Sequence, residues 1–249
     1  MTAVLAVKGL SLGYREGEWL CRHLNFSLQE GELLGVIGPS GCGKSTLCLA
    51  LSGIIPHRVE GHMEGDVFLL GENTRNLSLP QIATRVGIVF QDPETQLFLP
   101  QIRQELAFGP ENLCLPREEI ARTVEAVTAM TAIEELLPEN PNEISGGQRQ
   151  LAALAAVLCL DPAVLICDEV VSQLDEASCR RILELIGRLK EQGKTIVMVD
   201  HNLSRLQLAD RILALNGSGL CLLGPARDFL NNPALLAQCF GGSSGKAVM

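Results

Sequence analysis

Gly38-Pro39-Ser40-Gly41-Cys42-Gly43-Lys44-Ser45-Thr46 is the stretch on which the reading of this chain turns. It fits the pattern G-x-x-x-x-G-K-[ST], and its setting makes that short pattern informative. The apolar run Leu33 to Ile37 precedes it, and a helical stretch opens after it. A strand that passes through a glycine loop into a helix start is a phosphate-binding loop. The glycines let backbone N–H groups curl around phosphate oxygens, the helix aims the positive end of its dipole at them, and Lys44 adds a full charge. The hydroxyl of Ser45 is suited to Mg²⁺. The loop alone does not choose among kinases, GTPases and ATPases.

Downstream, Ala163-Val-Leu-Ile-Cys-Asp168-Glu169 carries an apolar strand into two adjacent carboxylates. Asp168 emerges at the strand end, where a parallel sheet binds its ligand, and is expected to hold Mg²⁺ directly or through water. Glu169 points the other way and is suited to polarise an attacking water. Ile196 to Val199 is a further wholly apolar run, so the core reads as a parallel sheet covered on both faces.

Helical periodicity is expected at Arg117 to Met130, Gly147 to Cys159, Ala177 to Glu191 and Leu203 to Leu208. Strands and helices therefore alternate as an α/β core requires. Earlier in the chain, Val4, Ala6, Phe26 and Leu28 alternate with polar residues between glycine turns at Gly13 to Gly17 and at Gly31, the pattern of antiparallel strands. The segment from Gln91 to Ser145 reads as a mainly helical insertion, and the ending GGSSGKAVM as a frayed tail.

Composition narrows the function. With 249 residues, 47% of them hydrophobic, the chain can bury a large core. A net charge of -9 argues against a broad surface for nucleic-acid phosphates, so no nucleic-acid partner is expected. The nine cysteines lack any CxxC pair, and His23, His57, His62 and His201 give no zinc-like spacing, which favours buried thiols in a reducing cytosol. No uncharged run reaches the roughly 18 residues that a membrane helix needs. Work at a membrane would require another chain to span it.

Ser145-Gly146-Gly147-Gln148 leads into an Ala/Leu-rich helix and again offers backbone donors at a helix start. A single chain rarely needs two phosphate clamps. This motif, lying between the loop and Asp168, resembles the signature of the ABC ATPase family, and the resemblance extends over nearly the whole chain. Tyr14 resembles the aromatic that stacks on adenine, Gln91 the Q-loop glutamine, Ser172-Gln-Leu-Asp175 the D-loop, and His201 the switch histidine. Val170 and Ile144 stand where the family more often has proline and leucine, and neither removes a reacting group.

The resemblance implies an α/β fold: a RecA-like parallel core, an N-terminal antiparallel β subdomain and a helical signature subdomain at about residues 92–160. One ATPase domain would span 1–240, with 241–249 a flexible tail. It implies ATP and Mg²⁺ as cofactors, Glu169, His201 and Gln91 as catalytic residues, and Ser45, Gln91 and Asp168 around the metal. It also implies a second ATPase subunit, identical or not, whose phosphate loop faces the signature of this one, with Asp175 among the nucleotide-binding residues.

Gln91-Asp-Pro-Glu-Thr-Gln96-Leu97-Phe98 and Glu105 to Leu113 are similar to the corresponding region of energy-coupling-factor ATPases, as is Ser52 to Gly61. That likeness implies vitamin or metal-ion import at the cytoplasmic face of the membrane. A transmembrane scaffold would bind near Gln91 to Asn112, and a separate membrane protein would capture the substrate. A conventional ABC importer subunit shares every catalytic residue. A soluble ATPase of DNA repair would need coiled-coil or zinc-bearing insertions, and this sequence shows neither sustained heptads nor paired cysteine motifs.

Overall fold

The computed structural model describes residues 3–15, 18–216, 219, 221–232 and 235; the expected tail at 241–249 lies outside them. Ten strands are described: β1 (Leu5–Arg15), β2 (Glu18–Leu28), β3 (Leu33–Ile37), β4 (His62–Leu69), β5 (Glu72–Asn73), β6 (Val86–Val89), β7 (Val164–Asp168), β8 (Thr195–Val199), β9 (Arg211–Leu215) and β10 (Cys221–Pro225). The α-helices are α1 (Lys44–Leu51), α2 (Ile54–His57), α3 (Leu79–Ala83), α4 (Ile102–Asn112), α5 (Arg117–Thr131), α6 (Gly146–Leu158), α7 (Glu176–Glu191) and α8 (Ala226–Leu230).

The strands form two sheets. One is antiparallel in the order β2-β1-β4-β5; the other has the order β10-β9-β3-β8-β7-β6 and is parallel except for the β9–β10 pair. Strands β3, β7 and β8 are wholly buried because both faces of the second sheet are covered. Alternate residues divide between two cores. Leu33, Ile37, Leu165, Cys167, Ile196 and Met198 pack toward α6 and α7, while Leu34, Val36, Ile166, Val197 and Val199 pack toward α1 and the antiparallel sheet. The site-bearing strands are thus held from above and below.

The helices follow their apolar stripes. In α7, Cys179, Ile182, Leu185, Ile186 and Leu189 are buried at helical spacing, Asp175 caps the N-terminus, and Arg188 and Lys190 oppose the negative end of the dipole. Between β6 and β7 the chain is helical, with α4, α5 and α6 packed together.

Two local expectations change. Leu203 to Leu208 is not an α-helix: a single 3-10 turn spans Leu203–Leu206, capped by the Asn202 side chain on the Ser204 N–H, and it serves as a connector into β9. Of the turn expected at Gly13 to Gly17, Gly17 lies outside the described residues and Gly13 lies inside β1, paired with Trp19 and His62. A Cβ there would lie 2.1 Å from the Glu18 carbonyl oxygen, so the glycine marks a close backbone approach.

Candidate active site

The phosphate-loop sequence leaves β3 and enters α1 at Lys44, as its pattern predicts. Two glycines are sterically required. A Cβ on Gly38 would sit 2.5 Å from both Cys42 Sγ and the Leu215 carbonyl oxygen. Gly43 has φ 102°, a left-handed conformation that glycine adopts freely, and a Cβ there would meet Leu20 Cβ at 2.8 Å. The buried Lys44 ammonium donates to the carbonyl oxygens of Gly38 (3.0 Å) and Pro39 (3.2 Å) and lies 3.3 Å from Glu169 Oε1.

The carboxylates at the end of β7 diverge because the chain turns there. Glu169 has φ 52°, a strained value for a non-glycine residue, with its N–H bonded to the Val199 carbonyl and its own carbonyl accepting from the Ser172 N–H. Asp168 is buried, accepts a hydrogen bond from Ser45, and its Oδ1 has no partner. Burial raises its carboxyl above the ordinary range, the Ser45 bond lowers it, the Glu169 charge raises it again, and Lys44 opposes. An orphaned, buried carboxylate oxygen beside the Ser45 hydroxyl is a donor set that fits a hard divalent cation such as Mg²⁺.

A cavity of about 390 Å³ opens over the loop, bounded by Ser40, Gly41, Gly43, Lys44, Ser45 and Thr46, with Tyr14, Leu20, Gln91 and Glu169 on its other sides. Tyr14 is 59% exposed and its hydroxyl is 2.7 Å from Thr46 Oγ1, so its ring face is free to receive a planar group. Pro39 contributes through the carbonyl that holds Lys44, and Cys42 is a buried thiol beneath the loop. The dimensions and donors suit the phosphates and base of a nucleotide.

The second motif lies elsewhere. Ser145 caps α6 by accepting from the Gln148 N–H (3.3 Å), while Gln148 Oε1 accepts from the Ser145 N–H (2.9 Å), a reciprocal capping box. Gly147 packs against α7, where a Cβ would lie 2.2 Å from Ser178 Oγ; a Cβ on Gly146 would meet nothing within 4 Å. Asp175 accepts from the N–H groups of Ala177 and Ser178 and from Ser178 Oγ at 2.7 Å. Gly146 borders a separate cavity of about 140 Å³, and Gln91 borders both cavities, with its Nε2 3.4 Å from Ser172 Oγ.

His201 does not border the loop cavity. Its side chain is 58% exposed and its Nδ1 lies 3.8 Å from Oδ1 of the fully buried Asp200. Asp200 also faces Arg205 at 3.5 Å and accepts from the Asn202 N–H at 2.7 Å. Leu20 and Asp200 are contacts that sequence reading did not single out. For Asp200 a signal existed: a charged residue ending an apolar strand directly before His201 must be held by something.

Fold and site together define a P-loop nucleotide hydrolase with a second glycine motif at the start of α6, outside the lining of the loop cavity. The family model described as ABC transporter matches residues 21–172. The chain belongs to the ABC transporter family and is one of its ATP-binding, ATP-hydrolysing members. It is 40% identical over 238 residues to a putative ABC transporter ATP-binding protein of Pyrococcus abyssi, covering 94% of this chain and 85% of that one. It is 40% identical over 233 residues to the energy-coupling factor transporter ATP-binding protein EcfA of Methanosarcina acetivorans, covering 93% and 83%. CbiO1 of Clostridium perfringens, part of the ABC transporter complex CbiONQ, superposes with a TM-score of 0.82 at 27% identity, covering 96% of this chain and 94% of that one. A bacterial ABC transporter cassette, solved as a dimer and in a post-hydrolysis state with ADP and Pi, superposes with a TM-score of 0.77 at 25% identity, covering 90% and 99%.

Proposed function

We propose that this chain is the ATP-hydrolysing subunit of an energy-coupling-factor type importer for a vitamin or a transition-metal ion, working at the cytoplasmic face of the membrane on subunits that span it. The observation that carries the docking part is an aromatic pair on the segment leaving Gln91: Phe98 and Phe108 are 65% and 40% exposed, and their rings meet edge to face at 5.0 Å. Large exposed aromatics are unusual on a free surface and typical of a docking site. The segment is anchored at both ends of the aromatic stretch. The buried Glu105 carboxylate accepts from the N–H groups of Phe98 and Leu99, and Glu94 pairs with Arg149 of α6. Partner helices of a transmembrane scaffold would sit near Gln91 to Asn112, and a separate membrane protein would capture the substrate. The likeness to EcfA and to CbiO1 supports this importer type over a conventional permease.

In this reading residues 1–240 act as one ATPase unit. The loop from Gly38 to Thr46 cradles the phosphates with Lys44, and Tyr14 stacks on adenine. Ser45, Asp168 and Gln91 would hold Mg²⁺, which neutralises phosphate charge when bound. Glu169 polarises the attacking water, and His201 and Gln91 complete the catalytic set. Ser145 to Gln148 and Asp175 serve the nucleotide of the opposite subunit, which accounts for a motif that borders a cavity other than the one over the loop. ATP then closes a dimer that hydrolysis opens.

The test is purification from native membranes in mild detergent with mass spectrometry of the partners. Recovery of a multi-span scaffold, a second ATPase and a small substrate-capturing membrane protein is expected, and replacing Phe98 and Phe108 by alanine should release them while the free subunit still binds ATP. Recovery of a conventional permease pair, or of no membrane protein, would overturn the importer type.

A further inference from the structure

Two successive residues of α6 reach across to the segment that carries Gln91. Arg149 donates from Nε to the Pro141 carbonyl oxygen at 2.8 Å, from Nη2 to the Ile144 carbonyl oxygen at 3.2 Å, and from Nη1 to the Glu94 carboxylate. The buried Gln150 donates from Nε2 to the Phe90 carbonyl oxygen at 3.1 Å. These contacts fall on either side of Gln91.

Each end of the Arg149 bridge is fixed to a motif. Pro141 and Ile144 belong to the connection that delivers Ser145, and Ile144 directly precedes it. Glu94 sits in a 3-10 turn, Pro93–Thr95, closed by Asp92, whose side chain accepts from the Glu94 N–H at 2.9 Å and whose carbonyl accepts from Thr95 Oγ1 at 2.7 Å. Gln96 ties that turn back to the end of β6, accepting from the Phe90 N–H at 3.0 Å and donating to the Ile88 carbonyl at 2.9 Å. Glu94 therefore moves as part of the segment that runs from Gln91 to Phe98.

A purely structural role explains two of the three Arg149 bonds. The carbonyls of Pro141 and Ile144 need a donor, and the guanidinium supplies it without Glu94. The Glu94 arm adds little to stability, because its carboxylate is 65% exposed and water screens such a pair. What it adds is geometry: the planar guanidinium holds its acceptors in a fixed fork, so a displacement of Glu94 reaches the carbonyls beside Ser145. A cavity of about 140 Å³ lies between these parts, bordered by Gln91, Glu94, Gly146, Arg149 and Leu174, so polar bonds rather than close packing join the segment to the signature there.

We propose that Arg149 is a positioning residue for ATP hydrolysis, setting the place of the Ser145–Gly146 loop, through Glu94, according to where the segment from Gln91 to Phe98 lies. This rests on the reading that Ser145 to Gln148 serve the nucleotide of the opposite subunit. When the segment shifts, the fork carries the loop with it, and the backbone donors at the start of α6 gain or lose their alignment with that nucleotide. Arg149 touches no nucleotide itself; it acts through the loop it holds.

The test measures kcat and KM for ATP in the full-length protein, with ATP affinity of the isolated subunit and the melting temperature beside them. Glu94→Ala should lower kcat roughly 3–10-fold, the scale of a coupling residue that contacts no ligand, and leave affinity and melting temperature at their wild-type values. Arg149→Lys keeps a donor for the two carbonyls but lacks the fork, and should lower kcat by a similar factor. The double variant should fall no further than either single one, because both changes break the same link. Glu118→Ala, which removes an exposed ion pair with Arg122 on α5, is the control and should turn over as the wild type does. Wild-type kcat in Glu94→Ala, additive losses in the double variant, or a melting temperature that falls in step with kcat would overturn the proposal. Gly146→Ala separates the two readings: if it loses cooperative hydrolysis while Glu94→Ala has no effect, only the Arg149 link fails, and if it keeps full cooperativity, the two-subunit site fails and the link with it.

Discussion

The Lys44 ammonium lies 3.3 Å from the Glu169 carboxylate while donating to the Gly38 and Pro39 carbonyl oxygens, so the loop's cation is fully occupied by its own surroundings. Incoming phosphates must replace those contacts with stronger ones, which a multiply charged triphosphate does and a neutral ligand does not. The same contact places the proposed base within reach of the group that holds the phosphates.

Lys44→Ala is therefore expected to weaken ATP binding sharply. Loss of charge-assisted bonds of about 2–3 kcal/mol corresponds to roughly 30–150-fold in Kd. Calorimetric titration of the isolated subunit reads this directly, and wild-type affinity in the variant would remove the loop from its role.

Glu169→Gln keeps the shape of the side chain at its strained φ of 52° and removes the base. We expect ATP binding to persist, turnover to fall about 10²–10⁴-fold, and a closed dimer to accumulate in ATP. Phosphate release with size-exclusion chromatography measures both effects; unchanged turnover would transfer the role to another residue.

Much of this site was legible because its motifs are local. Gly38 to Thr46, Asp168 with Glu169, and Ser145 to Gln148 each carry their chemistry within a few residues, and the strand or helix that presents them announces itself by period. What stayed hidden depends on chain segments meeting across the fold. Leu20 borders the cavity only because β2 passes over Gly43, and Asp200 is held by Arg205 from the following turn. Leu203 to Leu208 had an apolar spacing that a helix and a 3-10 connector share over so few residues, and the Asn202 cap decided between them. Gly13 read as a turn because glycine marks turns and close backbone contacts alike.

The two glycines of the second motif should separate structure from function. Gly147→Ala drives a Cβ into Ser178 and should loosen α6 against α7, lowering the melting temperature. Gly146→Ala points into open space and should leave stability within about 0.5 kcal/mol. If Gly146 faces the nucleotide of an opposing subunit, the variant still binds ATP alone but loses cooperative hydrolysis. Thermal melts beside ATPase rates as a function of protein concentration decide the matter. Full cooperativity in Gly146→Ala would contradict the two-subunit site.

Asp168 offers a trade between stability and function. Burial raises its carboxyl above the ordinary value of 3.8, so the folded chain binds its proton more tightly than the unfolded chain does. Stability without ligand therefore falls as pH rises from that ordinary value through the raised one, and the whole penalty is present at neutral pH. Asp168→Asn does not titrate there. Its melting temperature without ligand should exceed that of the wild type at neutral pH, by roughly 2–4 °C for about 1 kcal/mol in a chain of this size, and the gap should close as pH falls through the acid range. Adding ATP with Mg²⁺ should reverse the order, because the wild-type carboxylate gains a cation that the amide holds poorly. Melting curves from acid to neutral pH, with and without nucleotide, test each step. A variant no more stable than wild type at neutral pH would mean that the orphaned Oδ1 of Asp168 carries no electrostatic strain for a cation to relieve.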